Sequence, residues 1–177
     1  TMHLIEFIIG EKLISVAADL TTFVNGRKLE DDASIMIRMS NKVKGNLSIS
    51  QVATGEENNF KLSIYGDKGA LHWSQENPNY ATFSKLGKPN QIITRGGSIK
   101  QDGSFSYERV PAGHPEGYLE AFAQIYSDAA DVIQNKENKN ELIKILPNVN
   151  DGLHIMKFIK ATVDSSNNNS AWTDLST

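Results

Sequence analysis

The chain has no cysteine among its 177 residues, so disulfides, thiol nucleophiles and thiolate metal sites are excluded from the outset. It has no apolar run near the ~20 residues that a bilayer-spanning helix requires, and no basic, apolar and small-residue series of a signal peptide at its start. It has little excess charge: 18 basic against 21 acidic residues give a net −3, with lysine and arginine scattered, so no basic field awaits a nucleic-acid backbone. These absences predict a cytoplasmic protein that binds neither membrane nor nucleic acid. Its 39% hydrophobic and 22% charged content is ordinary for one globular domain, which at this length buries roughly two thirds of its unfolded surface.

The familiar catalytic signatures are also missing. No G-x-G-x-x-G or G-x-x-x-x-G-K-[ST] phosphate cradle occurs, and no G-x-S-x-G nucleophile elbow. His3, His72, His114 and His154 are far apart and none stands in H-E-x-x-H, which argues against a metal site. His72, in a strand, and His154, on the last helix, take structural roles by default. The acidic pairs Asp31-Asp32 and Glu56-Glu57 flank turns and read as solvated loop charges.

What is present is a strand-rich middle and a helical C-terminal third. "TMHLIEFIIGEKL" opens inside an amphipathic pattern with Leu4, Phe7 and Ile8 on one face and Gly10 at the C-cap, with no starting cap. It reads as the second half of a helix that begins upstream, and hence as a fragment or truncated frame. Strands are predicted over 13–24, 33–39 and 43–53, the last two forming a hairpin, then over 60–66, 70–74, 80–85 and 91–95. A helix is predicted from Pro115, with Tyr118, Phe122, Ile125, Tyr126, Ala129 and Ile133 as its stripe. A second follows Asn148, with Asp151 in its first turn and Leu153, Met156, Ile159 and Val163 apolar. "AWTDL" returns as a last strand. The class is therefore α+β: an open, mostly antiparallel β-sheet with helices packed on one face. The other face is either an oligomer surface or an ordinary polar exterior.

One stretch asks for a reason of its own: "AGHPEGYLEAF" (112–122) sets a histidine before the proline of a predicted helix start. Capping favours serine, threonine, asparagine or aspartate there. The positive potential of a helix start opposes imidazolium, and an uncharged ring that gives and accepts hydrogen bonds suits an uncharged hydroxyl. The alternative is a surface histidine that happens to precede a proline.

Taken in order, "SQVATGEENNFKLSIYGDKGALHW" (50–73), "GHPEGYLEAF" (113–122), "PNVNDGLHIMKFIKATVDSS" (147–166) and "AWTDL" (171–175) resemble the C-terminal domain of the Gfo/Idh/MocA oxidoreductases, over essentially the whole chain. The resemblance implies a two-domain enzyme: an N-terminal Rossmann half that binds NAD or NADP, and this half, 1–177, which supplies substrate contacts and a homo-oligomer interface. Hydride would pass between a sugar or polyol carbon and the nicotinamide. The family's catalytic lysine belongs to a Glu-Lys-Pro motif in the absent half, and its Asp-x-x-x-His motif would end just before Thr1. His3 therefore does not inherit that histidine's role, and Glu11-Lys12-Leu13 is a decoy. No catalytic, cofactor or metal residue is expected here. The resemblance implies substrate contacts at His114, and more weakly at Arg95 and Tyr118. Arg95 reads equally as a loop cation, and Tyr118 as part of its helix's core stripe. The isolated chain is expected to be inactive; the competing reading is a standalone carbohydrate-binding or dimerisation module.

Overall fold

The computed structural model describes residues 1–96 and 107–175. The chain divides into two compact units, residues 1–54 with 147–177 and residues 55–146. Each carries one open four-stranded antiparallel sheet. The α+β class and antiparallel pairing are as the sequence indicates, with the strands shared between two sheets.

The first unit contains α1 (Met2–Ile9), β1 (Leu13–Thr21), β2 (Asp32–Met39), β3 (Lys44–Ser50), α4 (Val149–Asn167) and β8 (Thr173–Asp174). Its strand order is β3-β2-β1-β8. Alternation along β2 buries Ile35, Ile37 and Met39, which pair with Ala18, Val16 and Leu13 of β1 to make a continuous apolar face. α4 packs on β1. The opposite face presents Asp19, Ser34, Asn46 and Ser48 around the exposed Met36. Arg38 lies 3.8 Å from the Trp172 ring centroid. That outward face carries polar side chains with one methionine and one cation–aromatic contact among them.

α1 ends as its glycine requires, Gly10 sitting in the left-handed region at φ 74° with its N–H on the Glu6 carbonyl. Its buried side is Met2, Ile5 and Glu6, whereas Phe7 and Ile8 are exposed, so the face expected inward is turned by about one residue. A charge causes the turn: Glu6 is directed inward by partners on two other elements. β1 stops at Thr21 instead of Val24 because the Asp31 carboxylate accepts the N–H groups of Phe23 (2.8 Å) and Val24 (3.0 Å) and receives Arg27 at 3.2 Å. Asp31 is therefore a buried turn-former, not a solvated charge. Glu56 and Glu57 are exposed.

α4 begins where expected, Asn148 capping the N–H of Asn150 while Asp151 accepts the N–H of Asn148. Its buried face is again offset from the expected stripe. Leu153, Met156 and Ile159 are exposed, while Ala161, Thr162 and Ser165 face β1. Small residues on both partners, Ala18 on the strand and Ala161 on the helix, permit this contact. Polar insertion anchors it: Ser165 accepts the Ala18 N–H at 2.9 Å and donates to the Ala171 carbonyl at 2.7 Å.

The second unit contains β4 (Lys61–Tyr65), β5 (Gly69–Ser74), β6 (Tyr80–Lys85), β7 (Gln91–Thr94), α2 (Tyr118–Ile133) and α3 (Lys139–Ile145). Its strands pair in chain order. One face collects Leu62, Ile64, Leu71, Trp73, Ala81, Phe83 and Ile93 in register. Phe60 meets Trp73 edge-on at 6.0 Å. α3 is an element that the polar "QNKENKN" tract conceals in the sequence; Leu142 is its buried anchor.

Two expectations about α2 fail. Its stripe is not core, since Tyr118, Phe122, Ile125, Tyr126 and Ile133 are all exposed, while Ala123, Ser127 and Asp128 turn inward. Its first residue is Tyr118, not Pro115. The carboxylate of Glu116 is committed to the segment behind it, so Pro115 and Glu116 stay outside the helix, which starts once Glu120 accepts the Gly117 N–H at 2.9 Å.

Ser165→Ala orphans the Ala18 N–H at a site with no solvent access, while the Ala171 carbonyl keeps Thr173 Oγ1 as a donor, which predicts a loss of about 1–3 kcal/mol in urea unfolding. Ser166→Ala, at the partly exposed Leu20 N–H, should cost about 1 kcal/mol.

Candidate functional site

The site builds from a cation in the second unit that the surrounding chain holds on several sides. Arg95 follows the end of β7, and its backbone N–H bonds the Asn79 carbonyl at 2.9 Å across the loop between β5 and β6. Its guanidinium has five N–H donors and no acceptor. Nε donates to Asn79 Oδ1 at 2.8 Å, Nη1 to the Val110 carbonyl at 2.9 Å, and Nη2 to the carbonyls of Pro111 at 3.3 Å and His114 at 2.7 Å. The ion pair from Nη1 to Glu116 Oε2, 2.6 Å, completes the set. Both side chains are largely buried, at 18% and 8% exposure. This geometry engages Arg95 with the protein itself, so it is not a free loop cation.

Glu116 closes the loop from the other side. Its Oε1 accepts the Arg109 N–H at 2.9 Å and its Oε2 the Val110 N–H at 3.4 Å, while its own N–H reaches Asn79 Oδ1 at 3.2 Å. Arg109 then ties the segment to α2 through Ser127 Oγ at 2.8 Å. Gly96 is required where the strand end meets this segment. It has φ 71°, and a Cβ there would lie 2.9 Å from the Ala112 Cβ.

What this scaffold presents is His114. Its N–H closes a turn on the Pro111 carbonyl at 3.2 Å, and Nδ1 lies 3.3 Å from the same oxygen. A carbonyl only accepts, so this contact is a hydrogen bond in the tautomer protonated at Nδ1, which leaves the Nε2 lone pair as the ring's acceptor. The ring is exposed. It stands four residues before α2, beyond the reach of the helix terminus, so the dipole argument for its uncharged form does not apply. Tyr118, on the first turn of α2, is 68% exposed and its ring sits 4.8 Å from that of Phe122.

A hydroxyl-bearing ligand fits these groups: an exposed imidazole nitrogen to accept an O–H, with an aromatic surface on the same segment of chain. The first amides of both long helices are met by carboxylates, Glu120 on α2 and Asp151 on α4. The Gly117 N–H and then the Glu120 N–H hold Glu120 below the usual carboxylate range. Among the described residues no group of three or more histidine and carboxylate side chains could hold a metal ion. No helix there is long and apolar enough to cross a membrane.

Residues 1–72 match the family model described as the GFO/IDH/MocA C-terminal domain. The chain is 30% identical over 167 residues to the uncharacterized oxidoreductase YfiI of Bacillus subtilis (strain 168), covering 92% of this chain and 42% of that protein. An oxidoreductase from Sinorhizobium meliloti superposes with TM-score 0.86 at 41% identity, over 96% of this chain and 48% of that one. An inositol dehydrogenase homologue from Azotobacter vinelandii, complexed with NADH and myo-inositol, superposes with TM-score 0.87 at 26% identity, over 97% and 47%. The class is thus an oxidoreductase C-terminal domain. The chain belongs to the C-terminal domains of the Gfo/Idh/MocA family, and it spans less than half the length of these relatives.

A second cluster of titratable groups lies in the first unit and was not anticipated. Glu6 accepts the Leu13 N–H (2.8 Å), Lys12 Nζ (2.9 Å) and His154 Nε2 (2.8 Å), and Lys12 also approaches Asp151 at 3.8 Å. It locks α1 to β1 and α4, so His154 has the structural role expected of it. His72, on the second sheet, contacts Ser63 Oγ at 3.0 Å and the edge of Tyr65. Only a lone acidic residue in an apolar stretch hinted at Glu6 in the sequence. Burial pushes its carboxyl up, but the Leu13 N–H, Lys12 and His154 outweigh that and hold it below the usual range. A depressed folded-state pKa gives stability that is present above the ordinary carboxylate pKa and lost as pH falls through the folded value. Thermal unfolding should therefore show Tm falling from about pH 5 towards pH 3, with a shallower acid slope for Glu6→Gln. An unchanged slope would contradict this role.

Proposed function

We propose that this chain is the substrate-binding and oligomerisation domain of an NAD(P)-dependent sugar or polyol oxidoreductase. The single observation that carries the reading is the exposed imidazole of His114, held on the clasp that Arg95 and Glu116 form. The likeness to the myo-inositol complex at 26% identity supports a polyol as the ligand class. His114 Nε2 accepts a substrate hydroxyl proton, Tyr118 offers its ring and phenol beside the helix start, and Arg95 acts from behind. Hydride transfer and proton abstraction belong to the Rossmann half implied for the parent protein, where NAD or NADP binds. A nicotinamide-dependent reaction belongs with its cofactor pool, so the proposal places the protein in the cytoplasm.

The exposed apolar stripes of α2 and α4 support further protein covering them, since surfaces of this kind mark interfaces. Homo-oligomerisation through a sheet face is part of the reading. The small polar side chains about Met36 on the first sheet suit close packing of two flat surfaces. The isolated chain lacks a hydride acceptor and a general base, and its turnover of a polyol with NAD would overturn the assignment.

The test is His114→Ala in the full-length protein. Loss of one hydrogen bond to an uncharged hydroxyl, about 0.5–1.5 kcal/mol, predicts a roughly 2- to 13-fold fall in kcat/KM for the polyol with the KM for the nicotinamide unchanged. An unchanged kcat/KM, or an effect confined to the nicotinamide, would refute the role.

A further inference from the structure

We propose that Arg95 and Glu116 are positioning residues that fix which nitrogen of His114 carries the proton, and so make Nε2 the acceptor that meets a substrate hydroxyl. The inference deepens the assignment of His114 above and rests on it for its functional consequence, though not for its geometry.

A neutral imidazole in water exchanges between its two tautomers, and a fixed partner on one nitrogen selects between them. Here the partner is the Pro111 carbonyl, an acceptor without a proton to give, 3.3 Å from Nδ1. That oxygen is held in place by one side chain. The Arg95 fork engages the carbonyls of Val110, Pro111 and His114 together, so both ends of the turn that carries the imidazole are fixed to one rigid plane. Glu116 balances the guanidinium charge and grips the amides of Arg109 and Val110, setting the register of the same turn. Gly113, at φ 86°, lets the turn close, and Gly96 lets it seat against the strand end. Lysine cannot replace this fork, because an ammonium is a point donor with no plane in which to hold three carbonyls.

With Nδ1 protonated, Nε2 of the uncharged ring presents a lone pair. It then accepts the substrate O–H, leaving the hydroxyl oxygen free for other donors. In the opposite tautomer Nε2 would donate to that oxygen and compete for its lone pairs. Arg95 thus acts on substrate without touching it.

The experiment is long-range 1H–15N correlation of histidine side chains in the full protein, at a pH of about 8.5 where an ordinary imidazole is neutral. The missing signals of His114→Ala provide the assignment. In the wild type His114 should give the Nδ1–H pattern; an Nε2–H pattern would overturn the proposal. Arg95→Lys and the near-isosteric Glu116→Gln should each shift His114 towards Nε2–H or a mixture. If either variant loses the dispersed amide spectrum of a folded protein, the other decides. A folded variant of both that keeps the wild-type tautomer refutes the positioning role.

Kinetics on the full-length enzyme separate this from the functional reading. Arg95→Lys should lower kcat/KM for the polyol by a factor comparable to His114→Ala, and should add nothing when His114 is already alanine. Additive effects would show that Arg95 does not act through His114. A correct tautomer with no kinetic effect of either substitution would instead refute the role of His114 and leave the geometry intact.

Discussion

A guanidinium can be buried only where five acceptors converge on it, because it has five donors, a permanent charge and no means of shedding either. Arg95 meets that condition with an amide oxygen, three backbone carbonyls and one carboxylate. Each acceptor comes from chain that would otherwise be irregular: the loop between β5 and β6 and the segment before α2. The demand of one side chain for satisfaction therefore fixes the path of both. The place where α2 can begin is set two residues beyond Glu116, and the imidazole of His114 is displayed at the surface by the same contacts. Removing one partner from such a network leaves its other members desolvated and unpaired, which is costlier than the network's net contribution to stability.

The first unit follows the same rule with different chemistry. Glu6 is buried with three partners drawn from β1, α4 and the short link after α1, and Ser165 connects the middle of β1 with the turn before β8. In both helices a polar demand rotated the buried face away from the most hydrophobic stripe. Burial of apolar area is non-directional and tolerates such a rotation, whereas an unpaired buried carboxylate or amide does not. The displaced stripes, Phe7 and Ile8 on α1 and Leu153, Met156 and Ile159 on α4, are left facing outward.

Local signals in the sequence were reliable where the physics is local. Gly10 ends α1, Asn148 and Asp151 start α4, and the alternation of 33–39 selects the face of β2 that is buried. They failed where partners distant in sequence decide. Pro115 is an acceptable first helical residue, but Arg95, twenty-one positions earlier than Glu116, claims that glutamate and delays the helix to Tyr118. Asp31 reads as a surface charge until the backbone of Phe23 and Val24 folds onto it. Arg95 was legible as a residue of interest beside "TRGG", yet its engagement depends on carbonyls whose positions no periodicity encodes. His114 was legible from its setting in "GHPEGY", while the identity of its free nitrogen was not, because that depends on the orientation of a carbonyl three residues away. The short helix α3 was hidden by the polar tract in front of it.

The most direct measurement of the central claim is a crystal structure of the full-length protein with oxidised nicotinamide and a bound cyclic polyol. The account predicts His114 Nε2 within about 3.2 Å of a substrate hydroxyl oxygen, with Nδ1 still on the Pro111 carbonyl and Arg95 out of contact with the ligand. A polyol held entirely by other residues, with the imidazole of His114 turned to solvent, would contradict it.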